Sequence, residues 1–393
     1  MIRKEFETAL DRAIAFGLDA AATRAREATR NESNAPSRGV TRMSATISEP
    51  SDPILADLEL VLAATDPDET ALLDRTAAEI RDAECGRRMV LRGLVEFSSA
   101  CANDCRYCGL NRNNGNAERY RLTKEEILEC AEMIAESNIR TIVLQSGEDR
   151  APAGFLAEVV REIKTRYDMA ITLSAGERSR EDFALWKDAG ADRYLMRVES
   201  SDPALYASLH EGRTLETRLR CLDDLQSLGF QTGSGIMVGP PGQTLAHIAR
   251  DIVFFSTRDF DMIGIGPFIP HPDTPFRAEP SGSVRLTLST VALTRVVTRN
   301  SWLPATTALG SMDRDYRVDA LRAGANVVMP NFSPVSVKKK YEIYPGKRCL
   351  TERTGACAGC MEGLARAAGL ALDRSRADSL KAAREGPIAR DNP

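Results

Sequence analysis

Residues 90–114, VLRGLVEFSSACANDCRYCGLNRNN, decide the fold of this chain. Their first part, Val90–Phe97, is rich in the branched and aromatic side chains typical of a buried strand. The serines, asparagines and glycine that follow predict a loop, and this loop carries three cysteines with the spacing C-x3-C-x2-C. The stretch therefore predicts a buried strand that ends in a loop with several thiols.

The same pattern of strand and helix repeats along the chain. Strand-like apolar runs occupy Val90–Phe97, Thr141–Gln145, Ala170–Leu173, Arg193–Val198, Thr232–Met237, Met262–Pro267, Pro304–Leu309 and Asn326–Pro330. Helical patterns lie between most of them, and the first begins with a capping box formed by Thr123 and Glu126. Eight buried strands that alternate with helices over about 240 residues predict a complete (β/α)8 barrel of the TIM type. A doubly wound open sheet is the alternative, because periodicity alone does not exclude it.

Regions of different composition flank the predicted barrel. Residues 1–52 end in a stretch rich in Ser, Pro and Asn and are predicted to be a flexible extension and linker. Residues 53–89 have helical apolar spacing and are predicted to form N-terminal helices. The barrel is then expected over residues 90–345, and a C-terminal segment with further cysteines over residues 346–393. In such a barrel the reactive residues should lie at the carboxyl ends of the strands.

Composition and charge exclude several classes of protein. The net charge of −4 argues against general binding to nucleic acid or to membrane surfaces, and no apolar run is long enough to span a membrane. The nine cysteines are odd in number and clustered, which favours metal binding over a disulfide framework. Thiols that bind a metal must stay reduced, which requires a reducing compartment. Residues 1–42 do not have the pattern of a secretory signal. A cytoplasmic location is therefore expected, without nucleic-acid or membrane partners.

Cys101, Cys105 and Cys108 are candidate ligands of a 4Fe–4S cluster. Three thiolates on one loop can bind three of its irons, and the lack of a fourth cysteine nearby leaves one iron open for another molecule. A zinc site or a set of buried thiols is the alternative. Structural zinc sites, however, usually have four ligands with paired spacing.

This cysteine pattern, with Tyr107 as the aromatic residue before the last cysteine, resembles that of the radical S-adenosylmethionine (SAM) superfamily. Several segments narrow the resemblance, among them YCGLNRNN at 107–114, TIVLQSGED at 141–149, ITLSAGERS at 171–179, MVGPPGQT at 237–244, DFDMIGIGPFIPHPDTP at 259–275 and YEIYPGK at 341–347. Residues 90–363 are similar to the FeFe-hydrogenase H-cluster maturases of the HydE type. Val198, where a His is usual, and the paired Pro240 and Pro241 depart from that pattern.

The resemblance implies that SAM binds the open iron and that an electron from the cluster cleaves it to a 5′-deoxyadenosyl radical. The implied SAM-binding residues are Tyr107, Gln145, Ser146, Gly147, Glu148, Glu199 and Arg218. The turn at 145–148 would offer backbone carbonyls to the amino group of SAM, and Glu199 would accept from the ribose hydroxyls or the amino group. Arg218 would pair with the carboxylate. A plain turn and a structural Glu–Arg ion pair are the alternatives.

A further set of residues is predicted to line a substrate cavity. By resemblance these are Thr172, Met262, Thr306, Thr307, Met329, Tyr341 and Tyr344. Arg193 and Arg197 are added because they alternate on the fourth predicted strand and so share one face. If that face is the barrel lumen, their charges need an anion such as a substrate carboxylate. Otherwise the two arginines are solvated or face a helix.

Cys349, Cys357 and Cys360 form a second group of cysteines near the C-terminus. The resemblance implies a second iron–sulfur cluster there, either 2Fe–2S or 4Fe–4S, with zinc binding or free thiols as alternatives. The three remaining cysteines have helical surroundings and are predicted to be ordinary small hydrophobic residues. His210 is predicted to lie on the surface of a helix.

The expected function is reductive cleavage of SAM in the assembly of the diiron subcluster of the FeFe-hydrogenase H-cluster. The resemblance implies a small organometallic or amino-acid-derived substrate, other hydrogenase maturases as partners, and an electron donor such as ferredoxin or flavodoxin. A related radical SAM enzyme with another substrate, of the methylornithine synthase or biotin synthase type, is the first alternative. A carrier that binds clusters without turnover is the second, and the implied SAM-binding residues argue against it.

Overall fold

The computed structural model of the chain describes residues 2–33, 53–348, 350 and 358–381. The helices are α1 (Lys4–Ser33), α2 (Pro53–Leu62), α3 (Pro67–Cys85), α4 (Lys124–Glu136), α5 (Ala153–Arg166), α6 (Arg180–Asp188), α7 (Pro203–Leu209), α8 (Leu215–Ser227), α9 (Leu245–Arg258), α10 (Val284–Thr298), α11 (Thr307–Gly310), α12 (Arg317–Arg322), α13 (Val335–Lys338) and α14 (Ala358–Ala368). The strands are β1 (Arg88–Leu91), β2 (Gly93–Ser98), β3 (Asp104–Cys105), β4 (Thr141–Ser146), β5 (Ala170–Ser174), β6 (Arg193–Leu195), β7 (His210–Glu211), β8 (Gln231–Val238), β9 (Met262–Pro267), β10 (Val327–Val328) and β11 (Ala371–Asp373). Among these described helices, none is both long and apolar enough to cross a membrane.

Six parallel strands form the central sheet, in the order β2-β4-β5-β6-β8-β9. Val143 of β4, for example, pairs with Leu94 of β2 on one side and with Thr172 of β5 on the other. All residues of β2 and β9 are buried, as expected for a parallel sheet that is covered on both faces. The prediction of an α/β fold with parallel strands is confirmed, and the sheet is consistent with a TIM-like barrel.

Single parallel bridges continue the pairing beyond both edges of this sheet. The bridges join Met262 to Trp302, Pro304 to Val327, and Leu94 to Asn331. The seventh predicted strand, Pro304–Leu309, is wrong in its second half, because helix α11 begins at Thr307. In this part of the chain the strand-like apolar run is divided between a bridge and a buried helical turn.

Helix α4 illustrates how the helices cover the sheet. The capping box predicted at its start is present, since Thr123 N donates to Glu126 Oε2 at 2.8 Å and Thr123 Oγ1 accepts from Glu126 N. The helix buries Ile127, Ala131 and Ile134, which the spacing of 3.6 residues per turn places on one face. Local capping and the apolar face therefore agree on where this helix begins and how it packs.

The C-terminal run 374–381 covers the end of the sheet where the strands begin. Thr141 Oγ1, at the start of β4, donates to Arg376 O at 3.0 Å. Ser379 N donates to Gln231 Oε1 at 3.0 Å, at the start of β8. The run is led there by β11, which pairs with β1 in the three-stranded sheet β10-β1-β11. The loops at the carboxyl ends of the strands lie on the opposite side.

Residues 4–33 form helix α1 and not the flexible extension predicted from composition. Phe6, Leu10 and Ala13 recur at helical spacing and are almost fully buried, where α1 packs against α2, α9 and α10. Composition taken over the first 52 residues as a whole hid this apolar face. The Ser/Pro/Asn-rich part of the predicted linker, residues 34–52, lies outside the described residues.

Candidate active site at the carboxyl ends of the strands

The loop with the first three cysteines follows directly after β2. Cys105 belongs to β3, which pairs antiparallel with β7, so that Cys105 lies opposite His210. Arg119 Nη1 donates to Ser99 O at 2.8 Å and to Leu110 O at 2.9 Å. A single guanidinium thus connects the beginning and the end of the loop, which keeps the three cysteines in place with little regular structure.

The thiols of Cys101, Cys105 and Cys108 are free and partly exposed. Two of them accept backbone hydrogen bonds, because Glu148 N donates to Cys101 Sγ and Leu110 N donates to Cys108 Sγ, each at 3.4 Å. A hydrogen bond to sulfur favours the thiolate over the thiol. These two hydrogen bonds therefore favour the thiolate, the form that binds metal.

Burial raises the pKa of all three thiols, to about 12 for Cys108. For Cys105 and Cys108 the neighbouring thiolates raise the pKa further, since like charges repel. Three thiolates here need a cationic partner, which the irons of a cluster provide. Among the described residues no three His, Cys, Asp or Glu side chains converge on one ion. A cluster does not require this, because each thiolate binds a different iron, and the three thiols therefore fit a cluster.

The turn after β4 approaches the cysteine loop closely. Gly147 N donates to Ser98 O at 3.0 Å. A Cβ atom on Gly147 would lie 2.4 Å from Ala100 O and 2.9 Å from Cys101 Cβ, so a larger residue would force the two segments apart. The structure therefore places the turn 145–148, predicted to bind SAM, next to the first cysteine.

Two glutamates and two arginines form a charged network beside this turn. Arg218 Nε donates to Glu177 Oε1 at 2.7 Å, and Arg213 Nη2 lies 3.0 Å from Glu148 Oε1. Longer contacts complete the network, with Arg218 Nη2 3.7 Å from Glu148 Oε2 and Arg213 Nη1 3.5 Å from Glu177 Oε2. Glu148 and Arg218 were predicted from the sequence, whereas Arg213 and Glu177 were not. Glu177 could have been found, because it follows β5, the third strand of the central sheet, at the carboxyl end where the reactive residues of a barrel lie.

Glu199 and Arg197 lie on the chain that leaves β6. Arg197 Nη2 is 2.9 Å from Glu199 Oε2, and burial raises the pKa of Glu199 although Arg197 and Arg218 oppose that shift. Glu199 has a φ of 61°, a left-handed conformation that is costly for a residue with a side chain. Arg218 Nη1 donates to Arg197 O at 3.0 Å, so this pair adjoins the charged network.

Arg193 lies at the amino end of β6, and the prediction that its charge meets an anionic substrate is wrong. Its side chain is fully buried, and Nη2 lies 2.9 Å from Asp378 Oδ1 and 3.0 Å from Ala377 O. Its Nε donates to Gln231 Oε1 at 2.8 Å. Residues four apart on a strand share a face but are separated by roughly 13 Å along it. The C-terminal run, and not a ligand, therefore neutralises Arg193.

Two of the predicted cavity residues, Tyr341 and Tyr344, lie on a segment that is anchored to the sheet. Gln145 Nε2 donates to Tyr341 Oη at 3.2 Å. The buried Lys347 forms an ion pair with the buried Glu96 of β2 and lies 5.0 Å from the centre of the Tyr341 ring. The ion pair could not be predicted from the sequence, because its two members are far apart in the chain.

The remaining cavity candidates come from several elements. Thr172 Oγ1 is buried and makes no hydrogen bond to any described residue. Met262 and Met329 pack in one small apolar cluster. Thr306 and Thr307 lie at the start of α11. Their role in substrate binding stays a prediction.

Tyr107 contacts a histidine whose predicted surface position is wrong. His210 is only 2% exposed, and Tyr107 Oη lies 3.2 Å from His210 Nε2. Helix α7 ends at Leu209, and the chain then enters β7 beside the cysteine loop. His210 is therefore covered by distant parts of the chain that its own helical pattern does not reveal.

The second group of cysteines is described only in part. Cys349 and Cys357 lie outside the described residues, and Cys360 is exposed in α14. A second cluster therefore stays a prediction. Three cysteines predicted to be ordinary hydrophobic residues are buried, namely Cys85, Cys130 and Cys221.

The three thiols lie on the loop that follows β2 of the parallel sheet, and a glycine turn and the charged network lie beside them. This arrangement is the one expected of an enzyme class that binds an iron–sulfur cluster and SAM. Residues 95–255 match the profile of the radical SAM superfamily. Members of this class are iron–sulfur enzymes that cleave SAM.

Similarity to an individual protein identifies the family within this superfamily. Over 290 residues the chain is 47% identical to the FeFe hydrogenase maturase subunit HydE of Thermotoga maritima, covering 74% of this chain and 83% of the relative. The chain belongs to the HydE family of the radical SAM superfamily.

Two solved structures share the fold. Methylornithine synthase (PylB) superposes with a TM-score of 0.70 at 25% identity, covering 81% of this chain and 93% of that one. The FeFe-hydrogenase maturase HydG superposes with a TM-score of 0.68 at 16% identity, covering 92% of this chain and 78% of that one. These likenesses agree with a TIM-like arrangement of the parallel sheet.

Proposed function

We propose that this chain cleaves SAM in the assembly of the FeFe-hydrogenase H-cluster, with Cys101, Cys105 and Cys108 as ligands of a 4Fe–4S cluster. The observation that carries the proposal is the hydrogen bond from Glu148 N to Cys101 Sγ. It joins the thiols to the turn and the charged network, so that the groups suited to the cluster and those suited to SAM adjoin each other. Membership of the HydE family supports the role in maturation.

The charged network suits the amino-acid part of SAM, which carries both an ammonium and a carboxylate. Arg218 presents a planar fork that pairs well with a carboxylate. Glu148 and Glu177 provide negative charge for the ammonium, and the buried Glu199 can accept hydrogen bonds from the ribose hydroxyls or the amino group. When bound, the cluster supplies the electron that cleaves SAM. The protein's task is to hold SAM in line with it and to exclude water.

The lumen is the proposed substrate site. We infer a complete ring of eight strands, because the bridges at Trp302, Pro304 and Leu94 continue the pairing from one edge of the sheet to the other. Since the run 374–381 covers the amino ends, substrate would enter at the carboxyl ends. Arg197 is the arginine on that side, and it suits an anionic group of a small organometallic or amino-acid-derived substrate.

Partners follow from this chemistry. Other hydrogenase maturases would supply or receive the substrate, and a ferredoxin or flavodoxin would supply electrons. The reduced thiols suit the cytoplasm. A second iron–sulfur cluster, 2Fe–2S or 4Fe–4S, on Cys349, Cys357 and Cys360 is part of the proposal and would be remote from SAM cleavage.

The test is to reconstitute Cys105→Ala anaerobically with iron and sulfide and to measure bound iron and release of 5′-deoxyadenosine from SAM. In Cys105→Ala, the iron bound at the first cluster and the release of 5′-deoxyadenosine should both fall to background. Cys130 is buried in helix α4, away from the cysteine loop, so Cys130→Ala should behave like wild type. Continued SAM cleavage by Cys105→Ala would overturn the ligand assignment. If wild type cleaves SAM but does not activate hydrogenase with the other maturases, a related enzyme with another substrate becomes the better hypothesis.

A further inference from the structure

We propose that His210 is a positioning residue for SAM binding, which acts by holding the hydroxyl group of Tyr107 beside the cysteine loop. The inference rests on the proposed function, because it assumes that the loop of Cys101, Cys105 and Cys108 carries the cluster. It names a residue outside the cysteine motif and the charged network.

The backbone of His210 is joined to the cysteine loop. Cys105 pairs with His210 in the short antiparallel ladder of β3 and β7, and Arg106 N donates to Leu209 O at 3.0 Å. Cys105 and Tyr107 are two residues apart, so they leave the loop close to this ladder. Any movement of His210 is therefore felt directly at the middle cysteine and at the aromatic residue that follows it.

The side chain of His210 is fixed in one orientation. Its ring stacks on that of Tyr206, with centroids 4.2 Å apart and planes at 25°, and it meets the Tyr107 ring edge-on at 5.6 Å and 89°. Nδ1 lies 3.0 Å from Tyr206 O. A carbonyl oxygen only accepts, so Nδ1 carries the proton. Burial lowers the pKa of His210 to about 3, in keeping with a neutral ring.

The tautomer decides the direction of the second hydrogen bond. With the proton on Nδ1, the Nε2 atom of His210 is an acceptor. Tyr107 Oη lies 3.2 Å away and therefore donates to it. A tyrosine hydroxyl keeps its proton at neutral pH. Tyr107 is thus a neutral donor, and His210 is the acceptor that faces it.

The position of Tyr107 explains why this bond should matter for SAM. Its ring packs against an apolar cluster that includes Met237 and Phe268, at and just beyond the carboxyl ends of β8 and β9. It therefore lies between the cysteine loop and the carboxyl ends of the strands, the side of the sheet on which SAM is proposed to bind. Without the hydrogen bond the ring loses a polar restraint, and the buried Nε2 or hydroxyl loses its partner. The expected consequence is weaker SAM binding with the cluster retained.

The test uses the reconstituted full-length enzyme and compares His210→Asn, His210→Gln and Tyr107→Phe. The amide of Asn reaches about as far as Nδ1 and cannot meet Tyr107, whereas that of Gln reaches about as far as Nε2 and can accept its hydrogen bond. Iron content, the dissociation constant for SAM and the change in the EPR signal of the reduced cluster on SAM addition are measured for each variant. Wild type serves to test the proposed function itself, since failure to load iron or bind SAM would be visible there.

His210→Asn and Tyr107→Phe should each keep their iron and weaken SAM binding roughly three- to tenfold, with an altered EPR response. His210→Gln should restore most of the affinity, and the double variant Tyr107→Phe/His210→Asn should bind no more weakly than either single variant. Additive losses in the double variant, or wild-type affinity in an iron-loaded His210→Asn, would overturn the proposal. Loss of iron in both His210 variants would also overturn it, because the residue would then support the loop and not SAM binding.

Discussion

The buried contact between Arg193 and the C-terminal run should stabilise the fold, and Arg193→Met tests this. The guanidinium makes hydrogen bonds to Asp378, to Gln231 and to the carbonyl of Ala377. Hydrogen bonds that involve a charged group contribute about 1.5–3 kcal/mol each. Burial of the charge opposes this gain and lowers the pKa of Arg193. A net loss of about 2–4 kcal/mol in the free energy of unfolding is therefore expected for Arg193→Met.

Urea unfolding under anaerobic conditions measures the loss, and iron content and SAM cleavage are measured in parallel. Cleavage per folded molecule should be unchanged, because Arg193 lies at the end of β6 that is remote from the thiols. Asp378→Asn should cost less, about 1 kcal/mol, since 46% of the Asp378 side chain is exposed and water can replace its contacts. Arg197→Met is the matched control beyond the other end of the strand. It should impair hydrogenase maturation and lose less stability than Arg193→Met, because 31% of the Arg197 side chain is exposed. An Arg193→Met variant with wild-type stability but failed maturation would refute this reasoning and restore a ligand-binding role.

Three further predictions concern the cysteine loop, the N-terminal helix and a buried acid. Gly147→Ala should reduce iron loading severalfold, because its Cβ would clash with the cysteine loop, whereas Gly154→Ala, with open space around it, should load normally in an iron assay. Phe6→Ala should lower the free energy of unfolding by about 3–5 kcal/mol and Leu18→Ala by less than about 0.5 kcal/mol, as measured with urea; equal effects would mean that α1 does not pack on the core. Burial raises the pKa of Asp251 to about 7, so the protonated form stabilises the folded protein, and this contribution is fully present below the unfolded pKa and lost as the pH rises towards 7. Asp251→Asn should therefore match wild type near pH 4 and exceed its stability at pH 8 by about 4 kcal/mol, and an unchanged pH dependence would contradict the assignment.

The order of strands and helices could be predicted because buried parallel strands are apolar along their length. Most of the runs that became β2, β4, β5, β6, β8 and β9 have this composition, although β6 begins with Arg193 and β8 contains Gly-Ser-Gly at 233–235. The run Pro304–Leu309 has it too, yet α11 begins inside it, since a buried helical turn needs the same apolar side chains. Helix α1 was missed for a different reason, because its apolar face is narrow and lies beside a polar stretch of sequence.

From the residues themselves, the candidate site could be located where a side chain follows a strand end in a recognisable pattern, as for the three cysteines and the turn at 145–148. Arg218, on helix α8, was identified by resemblance alone. Partners that are distant in sequence could not be found, as with Lys347 and Glu96, which are joined only by the fold. Burial of His210 likewise depends on the cysteine loop that passes over it. The alternation of side chains every two residues shows on which face of a strand a residue lies. It does not show at which end of the sheet that residue lies.

Strand β6 shows how this limit bears on function. At its amino end the guanidinium of Arg193 is matched by the chain itself, through Asp378 and two backbone carbonyls. Beyond its carboxyl end, Arg197 Nε is buried with no hydrogen-bond partner among the described residues, and Glu199 adopts a strained left-handed backbone. A buried donor without a partner and a strained backbone both call for a stabilising partner. Along β6 these two features lie on the side of the three thiols. Substitutions at the amino end of β6 should change stability, whereas those beyond its carboxyl end should change chemistry.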